Sequence, residues 1–132
     1  MDKKYELLRK DYIEHEGRTL YRIKALKDFR NVKAGDLGGY IQNEDNLSHD
    51  GNCWIYENAK VYDRAYVYNN AAVYGNASVY GRARVYNNAR VYGYAKIYDS
   101  AIVREKAKVN EYAEIYGNAE IYESAWVFDN VK

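Results

Sequence analysis

From Asn52 to Asp129, small, polar and branched apolar positions recur every six residues, thirteen times without a gap. The common unit is x-Ala-x-Val/Ile-Tyr-x, as in Asn76-Ala77-Ser78-Val79-Tyr80-Gly81, with Arg104, Asn110 and Phe128 at the tyrosine position of three units. The second position is Ala in twelve units and Cys53 in the other, and the fourth is Val or Ile in all thirteen. A six-residue period fits neither an α-helix nor a flat alternating strand; it is the period of a parallel β-helix, whose short strands turn every six residues. The pattern predicts an all-β solenoid. Ala and Val/Ile point inward, while Tyr and the residue before Val/Ile point outward. The junctions between units, such as Gly75-Asn76 or Asn87-Asn88, form the corners, because Gly and Asn tolerate a left-handed backbone.

The first 33 residues follow a different grammar. They are basic, with ten Lys/Arg against six Asp/Glu, and two strand-like runs flank Glu16-Gly17, a tight-turn signal. Tyr12–Leu26 reads as a β-hairpin with Tyr21, Ile23 and Ala25 on one side and Arg22 and Lys24 on the other. Tyr5-Glu6-Leu7-Leu8 fits a helical turn or a third strand. Three glycines and an Asp within Gly35-Asp36-Leu37-Gly38-Gly39 mark an irregular bend. Ile41 and Leu47 are six apart but Leu47 and Ile55 are eight apart, so the frame slips by two before the regular array. The expected organisation is a hairpin cap over 1–33, an irregular first coil over 34–51, and regular hexads over 52–129.

The junction run Gly38-Gly39-Tyr40-Ile41, followed by Asn46-Leu47-Ser48, then Gly51-Asn52-Cys53-Trp54-Ile55-Tyr56 and Ala59, resembles the start of the YdcK-like hexapeptide-repeat proteins of bacteria and their phages. The resemblance runs from Phe29 to about Val131. It implies a left-handed parallel β-helix, a hexapeptide-repeat solenoid with three hexads per triangular coil, here carrying an N-terminal β-hairpin cap. Thirteen units then make about 4.3 coils, roughly 20 Å tall at the strand spacing of about 4.8 Å. Proteins of this type are often labelled acyltransferases.

Composition narrows the function. The chain has 132 residues, 17 Tyr, no Pro and a formal net charge of +1, so no overall field draws it to nucleic acid or membrane. Cys53, alone and at a small inward position, reads as a buried inert thiol. Met1-Asp2-Lys3-Lys4 leads into no apolar run, and no stretch approaches a membrane span; a soluble cytoplasmic protein is expected. Mapping every eighteenth residue gives three outer columns: Tyr62, Tyr80, Tyr98 and Tyr116; Tyr68, Tyr86, Arg104 and Tyr122; and Tyr56, Tyr74, Tyr92, Asn110 and Phe128. Stacked rings would stiffen the walls or serve as a contact platform. Seven Lys/Arg fall within 82–108 and five acids with no base within 109–129. A basic belt beside an acidic end predicts antiparallel self-association into a homodimer. The chain ends at Asn130-Val131-Lys132 without sequence for a capping helix, so Trp54, Trp126 and Phe128 are the expected oligomer contacts.

Enzyme readings fare poorly on inventory. Hexapeptide acyltransferases generally place a catalytic histidine on a coil, and the two histidines here, His15 and His49, lie outside the regular hexads. His49 beside Asp50 could form an acid–base pair, although adjacent side chains in an extended segment point apart. Two histidines are too few for a three-histidine zinc site; no metal and no cofactor are expected. The reading that results is a non-enzymatic solenoid presenting Tyr-rich, basic walls to a macromolecular partner. A protein is expected first and RNA or single-stranded nucleic acid second. Tyr66, Tyr68, Arg84, Tyr86 and Arg104, with Arg90, Lys96 and Lys108 of the belt, are the candidate contact residues. The family's occurrence in phages implies a narrower alternative, an anti-CRISPR-like inhibitor of a bacterial defence nuclease. An acyltransferase using His49 is the third.

Overall fold

The computed structural model describes residues 3–128; Asp129, which closes the thirteenth hexad, and the terminal stretches 1–2 and 130–132 lie outside the described residues. The chain enters through an antiparallel hairpin, β1 (Tyr5–His15) and β2 (Arg18–Ala25). Its turn places Glu16 at φ 52° and Gly17 at φ 79°, the two positive angles that match the twist of a two-residue hairpin. The hairpin begins at Tyr5 rather than Tyr12, so Tyr5-Glu6-Leu7-Leu8 is strand. A bulge between Leu8 and Tyr12 separates the two halves of β1. On β2 the expected alternation is kept, with Tyr21 opposite the inward Ile41 and Arg22 opposite Tyr40. Ile23 and Ala25 are buried in the core, whereas Tyr21 is half-buried beneath Arg9 and Leu20 is buried on the other face.

From β2 the chain passes to β3 (Leu37–Ile41), which pairs antiparallel with β2 and parallel with β5 (Lys60–Val61). The frame slip is visible in the register. Ile41 sits opposite Val61 and Leu47 opposite Val67, both twenty residues on, whereas Ile55 sits opposite Val73, eighteen on. A single 3-10 turn, Glu44–Asn46, absorbs part of the difference. The fully buried Asn46 accepts from the N–H groups of Gln42 and Asn43 and donates to the carbonyls of Asp63 and Ala65, which ties this irregular coil to the one below.

Thereafter each hexad gives one two-residue strand at its third and fourth positions, and three parallel walls form. Wall one continues from β3 and β5 into β8 (Ser78–Val79), β11 (Lys96–Ile97) and β14 (Glu114–Ile115). Wall two stacks β6 (Tyr66–Val67), β9 (Arg84–Val85), β12 (Ile102–Val103) and β15 (Glu120–Ile121). Wall three stacks β4 (Trp54–Ile55), β7 (Ala72–Val73), β10 (Arg90–Val91), β13 (Lys108–Val109) and β16 (Trp126–Val127). The result is an all-β parallel solenoid. Its axis is filled by the repeated alanines and branched aliphatics, buried from Cys53 down to Ile115.

The corners explain the composition of the sixth position. It has positive φ from Glu57 to Glu123 whether the residue is Gly, Asn, Asp or Glu. A non-glycine residue there costs about 1–2 kcal/mol. The side chains offset this by accepting a hydrogen bond one coil on: Glu57 from Gly75 N–H, Asp63 from Gly81, Asn69 from Asn87, Asn87 from Glu105, Asp99 from Gly117 and Glu105 from Glu123. Four carboxylates, Glu57, Asp63, Asp99 and Glu105, therefore have a structural role at the corners. Among the described residues no helix is long and apolar enough to cross a membrane.

Candidate binding surface

The eighteen-residue period delivers the aromatic columns. On wall one Tyr62–Tyr80, Tyr80–Tyr98 and Tyr98–Tyr116 stack at ring-centroid distances of 5.0, 5.1 and 5.5 Å. On wall two Tyr68 stacks on Tyr86 at 4.7 Å, and Tyr66 on Tyr68 at 4.5 Å. On wall three Tyr74 stacks on Tyr92 at 4.8 Å, with Tyr56 edge-on above them. A further pair, Tyr94–Tyr112 at 5.1 Å, runs down a corner. Its signal was present in the sequence, since these tyrosines are also eighteen apart, but it occupies the first position of the hexad rather than the fifth. Parallel offset rings at this spacing contribute about 0.5–1.5 kcal/mol per pair beyond burial.

The hairpin withdraws part of wall one from solvent. Tyr62, expected to face outward, is only 3% exposed beneath Leu20 and Tyr40, with the His15 ring edge-on at 5.3 Å and the Arg18 guanidinium over its face. Burial pushes its phenol up to about 12. The His15 imidazole, packed at the same place and close to Lys60, is held below its ordinary value.

A second departure lies at the N-terminal end of the core. Trp54, expected as an oligomer contact, is buried at 1% exposure, with the rings of Phe29 at 5.3 Å and Tyr5 at 6.2 Å packed edge-on against it. It closes the end of the core under the hairpin and is unavailable to a second copy. Trp126 (61% exposed) and Phe128 (49% exposed) do face solvent, tilted against each other at 5.7 Å.

Lys4 is fully buried beside Trp54 and Cys53, donating to the carbonyls of Gly51 and Cys53 and to Cys53 Sγ. Burial draws its ammonium below the ordinary lysine value and pushes the Cys53 thiol up. Nothing in composition marked Lys4 for the interior. Cys53 is buried as expected.

His49 belongs to the same clasp. Its partner is Glu44, at 2.8 Å from Nε2, and not Asp50. Nδ1 accepts the backbone N–H of Lys4 at 3.1 Å, and the ring stacks on Tyr5 at 4.1 Å. An imidazole accepting at Nδ1 carries its proton on Nε2 and donates it to Glu44. Both nitrogens are therefore engaged, Nδ1 in holding the start of the hairpin onto the first coil and Nε2 in a bond within that coil, which holds the Glu44 carboxyl below its usual range.

The candidate contact residues do not share one surface. Tyr66, Tyr68, Arg84 and Tyr86 are contiguous on wall two, with Tyr66 directly opposite Arg84 in register. Arg104, lower on that wall, lies over the Tyr122 ring and pairs with Glu105 and Glu120 at 3.4 Å. Belt and acidic end thus partly compensate each other within one chain. Arg90 and Lys108 are register neighbours on wall three, whereas Lys96 stands on wall one opposite Glu114. The belt encircles the prism.

Wall three also carries a groove that the repeat alone did not reveal. Ala72 occupies an outward position between Trp54 and Arg90, and its small side chain leaves a hollow of about 530 Å³ bounded by Arg30, Tyr56, Tyr74 and Arg90. A second hollow of about 470 Å³ shares Arg30 and Arg90 and extends to Lys106, Lys108 and Trp126. Arg30 reaches this wall from the loop before the first coil, donating to the Asn70 carbonyl.

Comparison with known proteins agrees with this architecture. Residues 83–95 match the YdcK beta solenoid repeat. A 38-residue stretch is 50% identical to a protein of Escherichia coli (strain K12) described as an uncharacterized acetyltransferase, YdcK; it covers 29% of this chain and 12% of that protein. The chain is a parallel β-solenoid whose repeat is similar to that of YdcK over these stretches, and it spans only a small part of that relative's length.

Proposed function

We propose that this chain works by binding, as a rigid solenoid that presents a tyrosine–arginine wall to a partner protein. The observation that carries the reading is the patch on wall two, where Tyr66, Tyr68 and Tyr86 form one stacked plate with exposed Arg84 set into it. Tyr and Arg are the residue types that dominate binding energy at protein interfaces. Rings already ordered by stacking lose little further freedom when a partner docks. Arg104 adds less than its charge implies, since Glu105 and Glu120 already engage it.

The test is affinity capture from the native host with bound proteins and nucleic acids both identified, repeated with Arg84→Glu/Arg104→Glu and with Tyr68→Ala. Loss of one identified protein in both variants supports the reading, and equal retention by all three baits overturns it. The narrower version, inhibition of a bacterial defence nuclease, uses the same wall and requires that the captured partner be such a nuclease or its guide RNA.

An acyltransferase reading draws on the described activity of the E. coli relative. Against it stands the engagement of both His49 nitrogens, which leaves no lone pair to accept a substrate proton. Acetyl-CoA titration decides the matter: saturable binding together with an acetyl-transfer rate abolished by His49→Ala would establish the enzyme, and no heat of binding would end that reading.

A further inference from the structure

We propose that the groove on wall three, between Arg30 and Trp126, is a binding site for single-stranded nucleic acid. The site lies on a different wall from the tyrosine–arginine patch and does not depend on it.

Four cations converge there from separate parts of the chain. Arg90 and Lys108 come from outward strand positions, Lys106 from a corner and Arg30 from the loop before the first coil. Among the described residues none of the four forms an ion pair, whereas Arg18, Arg22 and Arg104 each have a carboxylate partner. The carboxylate bordering the groove, Glu57, is occupied by the Gly75 N–H at 2.7 Å. Four cations against one carboxylate leave the groove net positive, which raises the local anion concentration.

The aromatic groups decide which anion fits. Trp126 lies 61% exposed at one end, with the Lys108 ammonium 5.8 Å over its ring. The Tyr74 ring, already stacked, flanks the other end. Phosphates along cations and bases on rings are how single strands are held without sequence preference. A duplex keeps its bases stacked inside and cannot use Trp126, and an acidic peptide without aromatic side chains has no flat ring to lay on it.

Trp126 also supplies the readout, because Trp54 is buried. The full chain is titrated at low salt with a dT oligonucleotide of about 12 residues, following indole fluorescence. Quenching on binding is expected. Affinity should fall at least tenfold in Arg90→Glu/Lys108→Glu, while Lys10→Glu on the exposed edge of β1 should change it less than twofold. For four neutralised phosphates the log–log salt slope is about −3. Should the double variant unfold, Lys106→Gln is read instead, with a slope shallower by about 0.7. Failure of the oligonucleotide to bind, equal weakening by Lys10→Glu, or equal affinity for duplex DNA or polyglutamate would each overturn the proposal. None of these results bears on the wall-two patch, whose test uses other residues.

Discussion

The Lys4 ammonium stands 2.6 Å from the carbonyl oxygen of Cys53 and 3.3 Å from its sulfur, fully buried where the hairpin meets the first regular hexad. Hydrogen bonds to the Gly51 and Cys53 carbonyls fasten a segment that shares no repeat with the solenoid. Removing the side chain leaves a cavity and two carbonyls without their donor. Lys4→Ala should lower stability by about 2–4 kcal/mol in urea denaturation. Lys4→Met should cost at least about 1 kcal/mol less, since it fills the space and relieves the buried charge. Equal losses in the two variants would mean that the stem does not pack as described.

Gly38 and Gly39 are required by close approach rather than by a special backbone angle. A Cβ on Gly38 would lie 2.5 Å from the Ile55 carbonyl oxygen and 2.7 Å from the Trp54 ring; on Gly39, 2.5 Å from the Ala59 carbonyl oxygen. Each Gly→Ala exchange should destabilise by about 1–3 kcal/mol, the range for overpacking. Gly35→Ala tests a different cost, because a Cβ there meets nothing within 4 Å and only its φ of 96° opposes the change. Thermal melts of the three variants should rank both crowded positions below Gly35→Ala.

Asn110 interrupts the wall-three column between Tyr92 and Phe128, and its buried Oδ1 has no partner among the described residues. Asn110→Tyr replaces the unsatisfied oxygen with a ring at ladder spacing. A gain of about 1 kcal/mol is expected from stacking and from removal of the unpaired polar atom. A melting temperature below that of the parent chain would show that the column has no room there.

Stability should fall on acidification through two groups whose folded values are depressed. The unfolded state takes up a proton at His15 before the folded state does, so its contribution is present above about pH 6.5 and is lost as pH drops below that value. Glu44 acts in the same direction lower down, its contribution being lost as pH falls through its depressed folded value. The urea midpoint should therefore decrease from pH 7.5 to pH 5, and less steeply in His15→Gln. At the alkaline end Tyr62, pushed up to about 12, makes the unfolded state ionise first, so stability should decline above about pH 10.

The hexads determined the coil, the inward alanines and valines, the left-handed corners and the ladders of Tyr62, Tyr68 and Tyr74, because a strict period of six makes every eighteenth residue a neighbour. Even the two-residue slip between Leu47 and Ile55 was legible, and it reappears as the change of register from twenty to eighteen. Outside the repeat that arithmetic gives no information. Whether Lys4 enters the core, whether Trp54 is covered, which group meets His49 and how Arg30 comes to lie beside Arg90 all depend on where a non-periodic hairpin and loop dock. Only long-range packing decides that, and it does so by closing the open end of an apolar core that the repeats cannot close themselves.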